Sequence, residues 1–553
     1  MPRISRLLAL LILALPGLAG AQTVGSPNTA TADPTVPRPA TTPCVVQLFS
    51  GYVFADFTPK PFAYAPPAAC PGPWAKVVLE ADFSVTAGRQ FDRTAQIALG
   101  HVNIYYGTTA EPSAAVSPNW HVERDLTDYG ALFSAPRSGD VNLGNLVNDT
   151  YTGILSGSAR LLFYPASAAA PAPRAADAVL PLSSDPGGAA LLDTSANVLA
   201  PTFSLPRNVE AAYLDVIPQS QSSDEFWYTC VPDDVADTLF SCPGTSFREV
   251  EVTIDGRPAG VAPVYPWLYT GAIDPLLWRP IPAVQTLNFV PYRVDLTPFA
   301  GVLSNGQPHQ VGVQVYNANH YFLVAASLLL YLDHGSAQVT GAVTLNTLAA
   351  APSPAIQENL TNGDDGSVTG TVKTRSDRAF AITGYVNTSH GRVETAVLQT
   401  ISFSNDQNFA ISDAQYVQKI KQGTKVLSAV TTKQGRSVSV AGKQLSFPLT
   451  LEYTFVANPD GSGAQTTTIA QSYESQEAGA GRGLPTLSTV SNAINSTDTL
   501  LFDPSGAVTG YQNRSSSQTY KARNLSGYCY SRSITSANGL LTSVSDGQGC
   551  GSH

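Results

Sequence analysis

The stretch Gly88-Arg89-Gln90-Phe91-Asp92-Arg93-Thr94 sets a carboxylate beside a guanidinium, behind a glycine turn and ahead of an alternating run that reaches Tyr106. A carboxylate at the mouth of a strand can activate water, and a neighbouring cation can fix it or bind an oxygen of the substrate. Taken alone, such a dipeptide is more often a surface ion pair, so its company has to decide. That company is acidic. Thr108-Thr109-Ala110-Glu111-Pro112 carries Glu111, Asn148-Asp149-Thr150-Tyr151-Thr152-Gly153 carries Asp149, and Asp224-Glu225-Phe226-Trp227-Tyr228 puts two acids against a tryptophan. A further stretch, Tyr269-Thr270-Gly271-Ala272-Ile273-Asp274-Pro275-Leu276-Leu277-Trp278-Arg279-Pro280, ends on Trp278 and Arg279.

The elements that must position these residues read as strands. Val77, Leu79 and Ala81 alternate with Lys76, Glu80 and Asp82, the period of a half-buried strand. Val250, Val252 and Ile254 alternate with Glu249, Glu251 and Thr253, which predicts a solvated face for Glu249, and Asp255-Gly256 supplies a hairpin turn. Leu323–Leu332 is an apolar block of strand length. An Ala- and Pro-rich stretch over 165–177 separates two β units, expected at 44–176 and 177–335. Residues 22–43, rich in Thr, Pro and Ala, read as a disordered or extended tether. Beyond 335 the chain turns to Ser, Thr, Gln and Gly, with turns at Asn362-Gly363, Asp365-Gly366, Asp460-Gly461 and Asn538-Gly539. This predicts a β-rich C-terminal domain built as a sandwich, with a helix only over Ser412–Lys421.

Arg3 and Arg6 precede an apolar run from Leu7 to Leu18 and then Ala19-Gly20-Ala21, the pattern of a secretory signal cut after Ala21. No later segment is apolar for long enough to span a membrane as a helix. The reading is a secreted or periplasmic monomer, of bacterial origin on its low lysine and short export signal. Its six cysteines form three close couples: Cys44 with Cys70, Cys230 with Cys242, and Cys529 with Cys550. Local disulfides are the natural pairing for such couples in an exported chain. The net charge of −10 and the lack of a basic cluster argue against nucleic acid as a partner. No His-Glu-x-x-His, Gly-x-Ser-x-Gly or phosphate loop occurs, and neither Asn362–Gly366 nor Asn458–Gly461 completes a calcium loop, so no metal and no cofactor are expected.

Together the motifs around Asp92, Glu111, Asp149, Glu225 and Trp278, with Trp120–Tyr129 and Phe247-Arg248-Glu249-Val250, resemble the peptide-N-glycanase A family over roughly 40–335. The aromatic-Asp-Arg segment and Asp125-Leu126-Thr127-Asp128-Tyr129 carry a fainter likeness to peptide-N-glycanase F. The resemblance implies an all-β protein of two packed jelly-roll β-sandwich domains, with the site at their junction and the C-terminal domain added. It implies hydrolysis of the amide between N-acetylglucosamine and asparagine, releasing intact N-glycans from glycoproteins or glycopeptides and leaving aspartate. That chemistry asks for an activated water, an oxyanion donor and a proton for the leaving nitrogen. By the same resemblance Asp92 is the base, Glu225 the second catalytic acid with Asp224 as its rival, and Arg93, Asp149 and Glu111 bind substrate. Trp120, Trp227, Trp267 and Trp278 are candidate sugar platforms, Trp227 and the Trp278-Arg279 pair first among them, with core packing the competing fate of each. Two rivals share these residues: a two-carboxylate glycoside hydrolase and a non-catalytic glycan-binding or adhesion protein.

Overall fold

The computed structural model describes residues 22–481 and 483–550; the expected signal segment, 1–21, lies outside the described residues. The chain is all-β, with only short 3-10 and α turns between its strands. Alternation along Trp74–Val85 drives Val77, Leu79, Ala81, Phe83 and Val85 inward, onto Ile97, Leu99 and Ile104 of a facing sheet. Two four-stranded antiparallel sheets enclose this first core. A second unit, from Ala178–Pro181 to Asn319–Leu332, pairs a five-stranded with a four-stranded sheet. Asp255 and Gly256 both turn with positive φ, 51° and 72°, as the hairpin between Glu249–Ile254 and Arg257–Pro263 requires. No helix among the described residues is long and apolar enough to cross a membrane.

The C-terminal region departs from the expected sandwich. It is a single eleven-stranded antiparallel sheet, built largely of strands as long as Gly391–Ser412 and Ser437–Ala457 joined by tight hairpins. Its inner face, with Ile401, Phe403, Ile420, Phe447, Leu449 and Ile469, joins the core of the second unit. Ser412–Lys421 is no helix but a tight turn at 413–414 and the start of the strand Gln415–Gln434, where Gln418, Ile420 and Gln422 alternate inward.

The same sheet overturns the expectation for Glu249. Both faces of Glu249–Ile254 are covered, and Glu249, buried, is met by Arg378 of the C-terminal sheet at 2.7 Å. Residues 22–43 are extended but packed rather than loose. Ala30 and Ala32 are buried, the Ala32 N–H donates to Gln518, and Arg38 pairs with Glu80 and Glu123.

The cysteines pair locally, as their spacing predicts. One disulfide joins Cys44 to Cys70 and ties the first strand to the loop ahead of Trp74–Val85. A second joins Cys230 to Cys242 and closes the loop that follows Trp227. The third joins Cys529 to Cys550, across the two outermost strands of the C-terminal sheet.

Candidate active site

The loop before Thr94–Leu99 delivers Asp92, and its shape is fixed from two sides. Gly88 takes a φ of 140° against Thr152, where an added Cβ would stand 2.5 Å from the Thr152 hydroxyl. The buried Gln90 amide donates to Asn145 and to the Gly153 carbonyl, while its oxygen accepts from the Phe91 N–H. Arg93 exchanges backbone bonds with the strand end opposite: its N–H donates to the Thr109 hydroxyl, and its carbonyl accepts from the Thr109 N–H.

Two residues on, the same strand end carries Glu111. From the second unit comes Gly271, held there by the Thr270 hydroxyl, which donates to the Thr109 carbonyl. Asp92 and Glu111 converge on this glycine: an added Cβ would lie 2.6 Å from Asp92 Oδ1 and 2.5 Å from Glu111 Oε2. Only a residue without a side chain lets the two carboxyls approach so closely.

Burial is the largest influence on Asp92 and raises its carboxyl above the usual range, while the Gly271 N–H and Arg93 pull it back down. Glu111 is pushed up to about 7, first by burial and then by the Asp92 charge, against the opposing pull of Arg279. The Arg279 guanidinium lies 3.0 Å from Glu111 Oε1 and also donates to the Glu111 carbonyl, so it orients this acid.

Glu225 completes the group from a loop at the end of the strand Val209–Ser220. It too is pushed up to about 7, by burial first and then by the charges of Asp92 and Glu111. Three carboxyls from three separate segments therefore lie close enough for their charges to act on one another. The Asp92 charge raises both glutamates, while the Gly271 N–H and Arg93 ease its own.

The rival acid, Asp224, is fully buried elsewhere. Its Oδ1 accepts from Arg248 at 2.9 Å, and its Oδ2 accepts the N–H groups of Asn319 and Tyr321. It is a structural ion pair that sets the turn presenting Glu225.

The tryptophan platforms are not available to a sugar. Trp227 is buried against Phe403 and Tyr228, and Trp278 is buried with its indole N–H donated to the Ala272 carbonyl. Trp120 and Trp267 are core residues as well. Acids flank Trp227 in sequence, but the C-terminal sheet covers its ring.

The accessible aromatic surface lies instead beside Asp92. Phe91 stays 37% exposed and packs on Tyr151 with ring centroids 5.1 Å apart, and the Arg89 guanidinium lies over both rings. The aromatic position of the Phe91-Asp92-Arg93 motif was the signal for it. Asp149 sits in the exposed turn that carries Tyr151, outside the carboxyl group. Arg93 keeps a buried Nε–H with no acceptor among the described residues. Gly271 had only its place in a motif to mark it, and its function is visible only as shape.

A sequence profile of the family described as peptide N-acetyl-beta-D-glucosaminyl asparaginase amidase A matches residues 33–348. The chain belongs to that family. Peptide-N4-(N-acetyl-beta-glucosaminyl)asparagine amidase A of Prunus dulcis is 30% identical over 532 residues, covering 90% of this chain and 89% of the relative. The match to that amidase thus runs well into the C-terminal sheet. Among solved structures, PNGase F of Flavobacterium meningosepticum aligns with a TM-score of 0.36 and 13% identity, over 53% of this chain and 96% of its own. PNGF-II aligns with a TM-score of 0.37 and 11% identity, over 53% and 65%. Scores this low support no residue-by-residue equivalence.

Proposed function

We propose that this protein hydrolyses the amide joining N-acetylglucosamine to an asparagine side chain, releasing the intact N-glycan and leaving aspartate in the peptide. The observation that carries the reading is the convergence of Asp92 and Glu111 at Gly271, with Glu225 within reach of both charges, in a chain whose family is that of the Prunus dulcis amidase. An amide needs a base and an acid at the same moment, and carboxyls whose charges act on one another supply both. Asp92, as its carboxylate, takes a proton from water as the water oxygen adds to the carbonyl carbon. Arg93, with a donor to spare, stabilises the developing oxyanion. Glu225, still protonated below about 7, gives its proton to the nitrogen as the carbon–nitrogen bond breaks. The glycosylamine that leaves loses ammonia to water in solution.

Glu111 accepts from the Asp92 N–H and so helps to hold the base in place, and is itself oriented by Arg279. Phe91 and Tyr151 offer their ring faces to the proximal sugar, with Asp149 on the rim. Three disulfides fit folding in an oxidising compartment outside the cytosol.

The test is the product of an N-glycosylated peptide. An amidase leaves free glycan and an Asp peptide. A glycoside hydrolase leaves at least one sugar on Asn, and a binding protein leaves the glycopeptide whole. Either of the last two outcomes overturns the reading.

A further inference from the structure

The stretch Glu225–Cys230 has no strand partner among the described residues, and its one regular feature is the short 3-10 turn Trp227–Thr229. Three consecutive carbonyls, those of Tyr228, Thr229 and Cys230, are left for other partners. All three are taken by side-chain amides of the C-terminal sheet. Asn405 Nδ2 donates to Tyr228 O at 2.9 Å, Gln418 Nε2 to Thr229 O at 3.1 Å, and Gln407 Nε2 to Cys230 O at 2.8 Å. Thr229 O accepts from the Ser241 hydroxyl as well. The amides also fix one another: Asn405 donates to Gln422 at 2.8 Å and Gln418 to Gln407 at 2.8 Å.

Asn405 and Gln407 are 1% and 0% exposed, within an inward row that otherwise carries Phe403, Phe409 and Ile411. A buried primary amide is costly unless its bonds are made, and an aliphatic side chain would pack this row as well. What the amides add is geometry: three donors at fixed spacing, matched to three carbonyls of one loop.

We propose that Asn405, Gln407 and Gln418 are positioning residues for Glu225, and that the C-terminal sheet thereby forms the rigid floor of the active site. The proposal rests on the reading of Glu225 as proton donor. It makes the sheet part of the catalytic apparatus rather than an appended module. The titratable groups whose charges reach Glu225, namely Asp92, Glu111, Tyr228 and Tyr269, lie outside the sheet, and the sheet's amides act on it through the loop backbone.

The experiment compares Gln407→Met and Gln418→Met, which keep the length and lose the donor, with the parent. Expected are a thermal midpoint that falls little, a kcat on glycopeptide lowered about 10- to 100-fold, and a KM within about 2-fold of the parent. The infrared carboxyl band of Glu225, identified by difference against Glu225→Gln, should titrate near 7 in the parent and at a displaced pH in the variants. A fall in thermal stability with kcat and the band unmoved would overturn the proposal. If Gln407→Met does not fold, Gln418→Met, at the sheet's less buried position, decides it. Because the band needs no turnover, a parent that releases no glycan sinks the functional reading alone, whereas an unmoved band sinks this one.

Discussion

Asp224 and Glu225 are adjacent in sequence and opposite in physics. Asp224→Asn leaves the Arg248 guanidinium buried without its counter-charge, which should cost about 3–5 kcal/mol of stability and lower the denaturation midpoint. Glu225→Gln should do the reverse. The ordinary value of Glu225 is 4.5 and burial lifts it to about 7, so the folded protein binds the extra proton between those limits and loses stability as pH rises through them. Glutamine escapes that loss. The variant should match the parent at pH 4.5, exceed it at pH 8 by on the order of 1–2 kcal/mol, and release no glycan. Parallel melts at the two pH values check this. Turnover by the parent should fall as pH rises through about 7, because the donor loses its proton. Asp92→Asn should fold and be inactive. Gly271→Ala should also fold, since carboxyl ends can swing aside, yet lose about 100-fold in kcat because the two acids no longer converge. Asp92 and Glu225 were legible in the sequence because each has an aromatic or a cation beside it, and Glu111 because it lies in a motif of the family resemblance. Which of two neighbouring acids faces the pocket was not, since that depends on Arg248, Asn319 and Tyr321, which lie beyond any local pattern.

Strand alternation exposed the elements and hid their surroundings. Glu249, Glu251 and Thr253 have the spacing of a solvated face, and their burial comes from a sheet more than a hundred residues away in the chain. Arg378→Met should therefore destabilise by about 3–5 kcal/mol at pH 8, where Glu249 is ionised and abandoned. Near pH 5 the cost should be far smaller, because Glu249, pushed up to about 7 by burial, is neutral there. Urea midpoints at both values measure the difference. Turn chemistry was read well: Asp255-Gly256 and Asn538-Gly539 both carry positive φ at both residues. So was the cysteine pattern, since each cysteine bonds its neighbour along the chain. The polar inward rows at Asn405, Gln407, Gln418 and Gln422 defeated the reading of the C-terminal region, because Gln and Asn in alternation look like a solvent face. The same rows account for the mistaken helix over Ser412–Lys421.

At the scale of the molecule, one continuous core runs from the second sandwich into the eleven-stranded sheet. A chain ending near 335 should uncover the buried face of Glu249, Glu251 and Val261 and lose the floor beneath Glu225. Such a truncation should be recovered as aggregate or as an inactive species, with size-exclusion profile and glycopeptide assay as readouts. The first segment also reaches the far end of that sheet. Leu541, in its outermost strand, exchanges backbone hydrogen bonds with residues 25 and 26, as the Gly25 N–H donates to the Leu541 carbonyl and the Leu541 N–H to the Ser26 carbonyl. An outermost strand with unmet N–H and C=O groups is a template on which another copy can add a strand. By occupying part of that rim, residues 25 and 26 leave less of it open to self-templated polymerisation, and clipping the chain after residue 32 should shorten shelf life at high concentration.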